Sequence, residues 1–206
     1  HPVVTLDFIG STKGIGKNEY TYFRPELSIH YVLPIPPVGL SKFDLNAGTI
    51  VGKVPYPMLK IHEGNGTYTF SRYSFNCMDY YEFASDLWVT LFWEHNFKGF
   101  FLGKIPLLKR LQWREVASLR AAYGTVRKEN NGIIGDKNSG SSMLFPEKMG
   151  KLNRPYVEMG AGITNIFRVL RIDAFWRMTH RYEMKDGMKV PHDNRFVVTL
   201  GLEFKF

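Results

Sequence analysis

Six histidines, one cysteine and several carboxylates are the side chains in this sequence that could do chemistry. No two histidines stand at a metal-ligand spacing such as H-x-x-x-H, so we predict no metal centre and no cofactor. The lone Cys77 has no partner for a disulfide within the chain and is expected to be a small buried side chain. The stretch "GSTKGIGKNE" lacks the spacing of a phosphate-binding loop and is expected to be a hairpin loop.

Paired carboxylates and an activated serine remain as possible catalytic groups. Glu94 and Glu158 could form an acid–base pair in a protease-like or lipase-like enzyme. Ion pairs with bases such as Arg120 are the interpretation that we favour for these two carboxylates. Ser141 and Ser142 lie in a polar stretch without an adjacent His or Asp, so no nucleophile is indicated. We therefore predict a protein without catalytic residues, with an enzyme as the alternative.

The elements that must position these charges are eight segments in which apolar and polar residues alternate. Side chains alternate across a strand, so each segment would have one apolar face and one mostly polar face. No segment repeats with the period of a helix, and the sequence therefore predicts an all-β protein. The segments are residues 3–11, 22–33, 42–52, 86–97, 114–127, 155–165, 169–181 and 194–206.

The apolar faces could point into a soluble core or out into lipid. Most segments reach the length of a membrane-crossing strand, about 9–11 residues, whereas soluble strands usually have about 5–6. The polar faces carry Gly and charges of both signs, which suits a crowded lumen better than a soluble surface. We predict a transmembrane antiparallel β-barrel with about eight strands in this chain; the alternative is a soluble β-barrel or sandwich that binds lipid or carbohydrate. The predicted lumenal charges are Glu94, Arg120, Glu158, Arg171, Asp173 and Arg177.

Short and long connections alternate along the chain, which is typical of an outer-membrane barrel with its short turns at the periplasmic end. A long lumenal-type loop is predicted at residues 55–85, and long outer loops at residues 128–154 and 181–194. The first of these is rich in Tyr, Phe, Gly and charged residues, a poor composition for a freely exposed loop. We therefore expect it to fold inward and pack on the lumenal charges.

One connection at the short-turn end, "KIPLLKRLQW", mixes bases with leucines. A short interfacial helix over residues 104–113 would direct Leu107 and Leu108 toward acyl chains or the barrel rim, and Lys109 and Arg110 toward phosphates. Docking onto a periplasmic partner is the alternative use of these residues. The net charge is +8, but the bases are scattered, so we predict an anionic membrane surface as their partner and no nucleic acid.

The two ends of the chain carry separate expectations. The chain begins at His1 without a basic-then-apolar leader, which favours a mature protein or a fragment. We expect residues 1–206 to be one barrel domain or the C-terminal half of one. Leu202, Phe204 and Phe206 continue the apolar parity of the last segment. We expect them to close the sheet and to serve as the insertion signal that the barrel assembly machinery reads.

Three long stretches carry a resemblance to a known family: "GKVPYPMLKIHEGNGTY", "RYSFNCMDYYEFASDLWVTLFWEHNFKGFFLGKIPLLKRLQWREV" and "LRIDAFWRM". They resemble the C-terminal part of an outer-membrane family of unknown function from Bacteroidetes, a Gram-negative group. Its members join an N-terminal carboxypeptidase-regulatory-like domain to a large barrel. The resemblance extends over most of the chain.

The barrel of that family in turn is similar to the superfamily of outer-membrane insertases and two-partner secretion translocators. This resemblance implies a sixteen-stranded barrel of which the eight segments would be the C-terminal half. The loop at residues 55–85 would then be the one that folds into the lumen in that superfamily, and "HEGNGTY" stands where the superfamily has an Arg-Gly-aromatic tip. The motif residues of this loop would be Pro57, Leu59, His62, Gly64 and Tyr68.

The resemblance also implies a location and a set of partners. The protein would reside in the bacterial outer membrane and serve in transport, secretion or outer-membrane assembly. Its partners would be outer-membrane lipid and lipopolysaccharide, the barrel assembly machinery, and an upstream half-barrel or partner chain.

Overall fold

One antiparallel sheet of eight strands dominates the computed structural model, which describes residues 1–14, 19–152, 154–185 and 188–203. Each strand pairs with its neighbours in chain order, and each overlaps one of the eight segments predicted from alternation. The prediction of an all-β protein is therefore confirmed. Strands β1 to β8 are Val3–Ser11, Tyr22–Ile35, Gly39–Thr49, Leu87–Asn96, Arg114–Thr125, Tyr156–Ile166, Leu170–Arg177 and Phe196–Leu202.

The sheet is open in the described part of the chain, where β1 and β8 are its two edges and do not pair with each other. The total accessible surface is 12413 Å², whereas a compact monomer of this mass would have about 9,900 Å². The edge of β8 carries a single bridge: Leu200 binds the backbone of Tyr68 and Phe70, at 2.8 and 2.7 Å. The closed barrel expected from the sequence is thus not formed by these strands alone.

In a soluble protein the apolar face of a sheet is usually buried and the polar face exposed. In this sheet the polar side chains are buried and the apolar side chains are exposed. In β7, burial alternates residue by residue, and Asp173 is 1% exposed whereas its neighbour Ile172 is 41% exposed. In β8, Leu200 is 57% exposed whereas Thr199 is fully buried. The apolar side chains of these strands therefore point outward, and the polar side chains lie on the covered face.

Loops from the long-connection end cover the polar face. They contribute a small sheet of Lys60–Ile61, Phe83–Ser85 and Gly150–Lys151, and the 3-10 helices Tyr56–Met58 and Lys128–Asn130. A separate hairpin pairs Tyr182–Lys185 with Met188–Pro191. Among the described residues, no helix is long and apolar enough to cross a membrane. The buried apolar residues lie between these loops and the sheet: Ile50, Val54, Leu59, Ala84, Trp88, Phe145 and Met149 in one cluster, and Phe75, Met78, Phe83, Ala122, Leu152 and Tyr156 in the other.

The helix expected over residues 104–113 is much shorter in the structure. A 3-10 turn, Leu102–Lys104, leads into the α-helix Pro106–Lys109, which has four residues. Gln112 has a φ of 54°, in the left-handed region, and this reverses the chain into β5. Because a left-handed glutamine has no sequence signal comparable to a C-terminal Gly, the alternation of Leu and Lys alone overestimated the length of the helix.

Candidate functional site: the long loop on the charged face of the sheet

The six charged side chains singled out in the sequence lie on the covered face of β4 to β7, and the loop of residues 55–85 lies over them. Strand pairing brings them together because all six have the same parity on neighbouring strands. Arg120 and Glu158 are directly paired across β5 and β6. The charges of these six cancel, with three bases against three acids. The six are Glu94, Arg120, Glu158, Arg171, Asp173 and Arg177.

Glu158 is the main anchor of the loop. Its carboxylate is fully buried and accepts the backbone N–H groups of Asn76 and Cys77, at 2.8 and 2.9 Å. The Tyr156 hydroxyl donates to it at 3.1 Å, and Arg120 Nη1 lies 3.7 Å from Oε1. Arg120 also donates to the Ser74 carbonyl. This arrangement binds a turn of backbone, and both carboxylate oxygens are occupied by it.

Glu94 takes part in a separate ion-pair network. Arg171 Nη2 lies 2.8 Å from Glu94 Oε2, and Arg171 Nε lies 2.6 Å from Asp173 Oδ2. Arg72 of the loop adds longer contacts, 3.9 Å to Glu94 and 3.6 Å to Asp44 on β3. Glu94 and Glu158 are thus held by different partners, an arginine network for one and loop backbone for the other.

Arg177, at the end of β7, contacts both the loop and a small cluster of potential metal ligands. Asp79, Glu82 and His192 offer ligand atoms that all lie within 4.8 Å of one another. The guanidinium of Arg177 already occupies this cluster: it pairs with Glu82 and lies 3.2 Å from His192 Nε2. His192 Nδ1 accepts the backbone N–H of Asn194 at 3.2 Å, and Nε2 lies 3.6 Å from Glu82 Oε1 and 3.8 Å from Asp79 Oδ2. The guanidinium of Arg177 therefore fills the space that a metal ion would need between Glu82 and His192.

The five motif residues of the loop have unlike environments. Leu59 is buried in the first apolar cluster, and Pro57 is exposed in the 3-10 turn. A Cβ on Gly64 would lie 2.1 Å from the carbonyl oxygen of Asp79, so only glycine fits where the two stretches of backbone cross. Tyr68 is 80% exposed, and its carbonyl holds the edge of β8. His62 is buried and contacts Ser85 Oγ at 2.9 Å through Nε2.

Burial shifts the pKa of two groups in this loop. Burial, with a smaller effect of Lys60, lowers the pKa of His62 to about 3, so the imidazole is neutral in the folded loop. Its Nδ1 has no hydrogen-bond partner among the residues that the structure describes. Burial raises the pKa of the Cys77 thiol, and the nearby Glu158 carboxylate adds to the effect. Cys77 is therefore not a reactive thiolate.

Two serine–histidine contacts occur among the described residues. The first joins Ser85 and His62; the second joins Ser41 Oγ and His95 Nδ1 at 2.7 Å. All four side chains are buried, and His95 Nε2 contacts the carbonyl of Val38 at 3.3 Å. In the described part of the chain, no carboxylate lies within hydrogen-bond distance of either histidine. Both pairs are buried polar contacts in packed surroundings, and the described residues place partners on both ring nitrogens of His95 but only on Nε2 of His62.

The basic turn lies at the opposite end of the sheet from the loop. Leu107 is 75% exposed, Lys109 and Arg110 are exposed, and Leu108 is half-buried. These four residues therefore lie on one turn, in which Leu108 is less accessible than the other three.

The residues expected to form an insertion signal are only partly described. Leu202 is exposed at the end of β8, on the outward parity. Phe204 and Phe206 lie outside the described residues.

Several contacts that hold the loops on the sheet were not predicted from the sequence. The backbone groups of Asn76 and Cys77 cannot be recognised from side-chain types in the sequence. Glu82 contacts Arg177, which lies 95 positions away in the sequence. Asp86, just before β4, is a further buried acid, bound by Arg127 at 3.0 Å and by Asn130 at 3.0 Å, and it fastens the connection that follows β5. A weak signal was available: "CMDYYEF" places two acids in the same loop as the motif.

Comparison with known proteins places the chain in a family. No curated protein and no solved structure matches it. The C-terminal domain of a family of unknown function, DUF5686, matches residues 1–130. Since this match covers more than half of the 206 residues, the chain belongs to the DUF5686 C-terminal domain family.

Proposed function

We propose that this chain is part of a non-catalytic β-barrel of the bacterial outer membrane that serves in transport, secretion or outer-membrane assembly. The observation that carries the proposal is the inverted sheet. Apolar side chains such as Ile172 and Leu200 point outward, while Glu158 and Asp173 are almost completely buried. In water this arrangement would expose a broad apolar face, whereas in a bilayer that face meets acyl chains.

The unpaired edges of the sheet favour a barrel that has additional strands. Unpaired backbone groups in hydrocarbon cost several kcal/mol each, so a sheet in a membrane has to close. We propose that an upstream half-barrel or a partner chain closes it, in line with the resemblance to the sixteen-stranded superfamily. The upstream regulatory-like domain and the Bacteroidetes origin belong to the same proposal.

The loop of residues 55–85 would then lie in the lumen and narrow it. Its contacts with Glu158, Arg120 and Arg177 involve buried charges, and such contacts hold a loop in one place. Because each buried carboxylate of the face already binds an arginine or backbone N–H groups, an enzyme with Glu94 and Glu158 as its acid and base is the weaker hypothesis. The buried Ser–His contacts favour a structural role in the same way.

The test begins with the full-length protein in its native host. We expect it to fractionate with the outer membrane and to need detergent for a monodisperse state. A full-length protein that is monodisperse in plain buffer would overturn the membrane proposal and favour a soluble β protein.

A second measurement addresses the loop. In planar bilayers, deletion of residues 63–72 should raise the single-channel conductance of the full-length protein, because Arg72 and the Tyr68–Phe70 contact to β8 would be removed. A matched replacement of residues 137–142, in an outer loop, should leave the conductance unchanged. Equal conductance of the deletion variant and the wild type would place the loop outside the pore.

A further inference from the structure

The turn that joins β4 to β5 is strongly basic and lacks acids. Between Phe97 and Glu115 the sequence has five bases and no Asp or Glu. None of the five forms an ion pair within the part of the chain that the structure describes; Lys104 only lies over the ring of Phe100, at 4.1 Å. The five are Lys98, Lys104, Lys109, Arg110 and Arg114.

Exposed apolar side chains lie among these bases. The same turn exposes Phe101, Ile105, Leu107 and Leu111. The neighbouring hairpin exposes Phe167 and Arg168, and it is fastened to the turn by Asn165, whose side-chain N–H₂ donates to the carbonyl of Gln112 at 2.8 Å. The two connections therefore form one surface, which we call the basic rim: residues 98–114 and 165–168.

Internal contacts keep this surface in shape. The side chain of Glu115 accepts the backbone N–H of Leu102, and the Asn96 side chain accepts that of Lys98 at 2.8 Å. Both acceptors bind backbone N–H groups, and within the described residues no carboxylate pairs with a base of the rim. A surface of free bases and exposed leucines is the composition that binds an anionic lipid interface.

We propose that the basic rim binds the headgroups of anionic phospholipids in the leaflet at the short-turn end of the barrel. The bases contact the phosphates, and Leu107 and Leu111 enter the upper acyl region. The proposal rests on the proposed membrane location and adds the lipid class and the residues that recognise it. Charge complementarity favours an anionic phospholipid over a basic partner, because the rim has bases and no carboxylate.

The first experiment measures affinity with soluble lipid probes. Full-length protein in a neutral detergent is titrated with dihexanoyl-phosphatidylglycerol and dihexanoyl-phosphatidylcholine. We expect tighter binding of the anionic probe, and about twenty-five-fold weaker binding after K109S/R110S, because each base near an anionic surface contributes about fivefold. The matched control K128S/K137S removes two exposed bases from an outer loop and should leave the affinity unchanged.

The second experiment identifies the occupant in cells. A photocrosslinking residue at position 107 should capture phospholipid; capture of protein alone would overturn the proposal in favour of a periplasmic partner. Equal affinity of the K109S/R110S variant and wild type for the anionic probe would also overturn it. If instead the protein is monodisperse in plain buffer, the result contradicts the proposed membrane location and, with it, this inference. A protein that needs detergent but ignores lipid charge contradicts only this inference.

Discussion

Glu158 should control whether the long loop stays on the sheet. In the variant Glu158→Gln, one of the two acceptor oxygens becomes an N–H₂ group that faces the backbone N–H of Asn76 or Cys77. The buried guanidinium of Arg120 loses its countercharge at the same time. The substitution keeps the volume of the side chain, so its effect reports hydrogen bonding and charge rather than a cavity.

The expected cost of Glu158→Gln is large. Breaking a buried ion pair costs about 3–5 kcal/mol, and a lost hydrogen bond to a charged group costs about 1.5–3 kcal/mol. Part of this is regained as the loop loosens, so we expect docking of the loop to weaken by about 3–4 kcal/mol. At about 1.4 kcal/mol per factor of ten, this is a loss of two to three powers of ten in the protection of loop amides.

The assay is hydrogen exchange of the full-length protein in detergent, followed by mass spectrometry of peptides that contain Asn76 and Cys77. The control is Glu63→Gln, which removes a carboxylate of the same loop whose partner is Lys60 near the surface; such pairs contribute about 0–1 kcal/mol. Unchanged protection at residues 76–77 in Glu158→Gln would refute the anchoring role. An equal loss in Glu63→Gln would show that the effect is not specific to the buried site.

Two further predictions concern the same loop. Because His62 has a pKa of about 3 when the loop is docked and about 6.5 when it is free, docking should weaken as the pH falls from about 6.5 toward 3, by about 2 kcal/mol at pH 5. In hydrogen exchange corrected for intrinsic rates, wild type should lose about thirtyfold protection between pH 7 and pH 5 and His62→Gln should not; parallel profiles would refute this. Gly64→Ala should destabilise the docked loop by about 1–3 kcal/mol through the clash with the Asp79 carbonyl, and limited proteolysis should therefore cleave the loop faster. Gly103→Ala meets no described atom within 4 Å and should leave the cleavage rate unchanged. Equal cleavage of the two variants would count against the close crossing at Gly64.

The strands were predictable because their signal is local. In β7, Leu170, Ile172 and Trp176 alternate with Arg171, Asp173 and Arg177, and this alternation assigns each side chain to one of the two faces. The same alternation is enough to assign the six charges to one face of the sheet. The ends of strands were less certain: the segment that became β7 was predicted to reach residue 181, but the strand ends at Arg177.

The contacts that hold the loop could not be predicted from the sequence. Glu158 recognises backbone N–H groups, which every residue except proline has, so no spacing marks Asn76 and Cys77 as its partners. Glu82 and Arg177 come together only when two loops and a strand are folded. The short helix of the basic turn ends at Lys109, and the left-handed Gln112 then turns the chain toward β5 without a glycine that would mark the reversal in the sequence.

The central claim is that the outward face of the sheet meets lipid, and spin labels along β7 test it most directly. In a full-length Cys77→Ala background, single cysteines at 172, 173, 174, 175 and 176 are labelled and the protein is reconstituted in liposomes. Collisions with oxygen dissolved in the bilayer should be frequent at 172, 174 and 176 and rare at 173 and 175, and a water-soluble nickel complex should reach none of the outward positions. Low oxygen accessibility at 172, 174 and 176, or free access of the nickel complex to them, would contradict the membrane account.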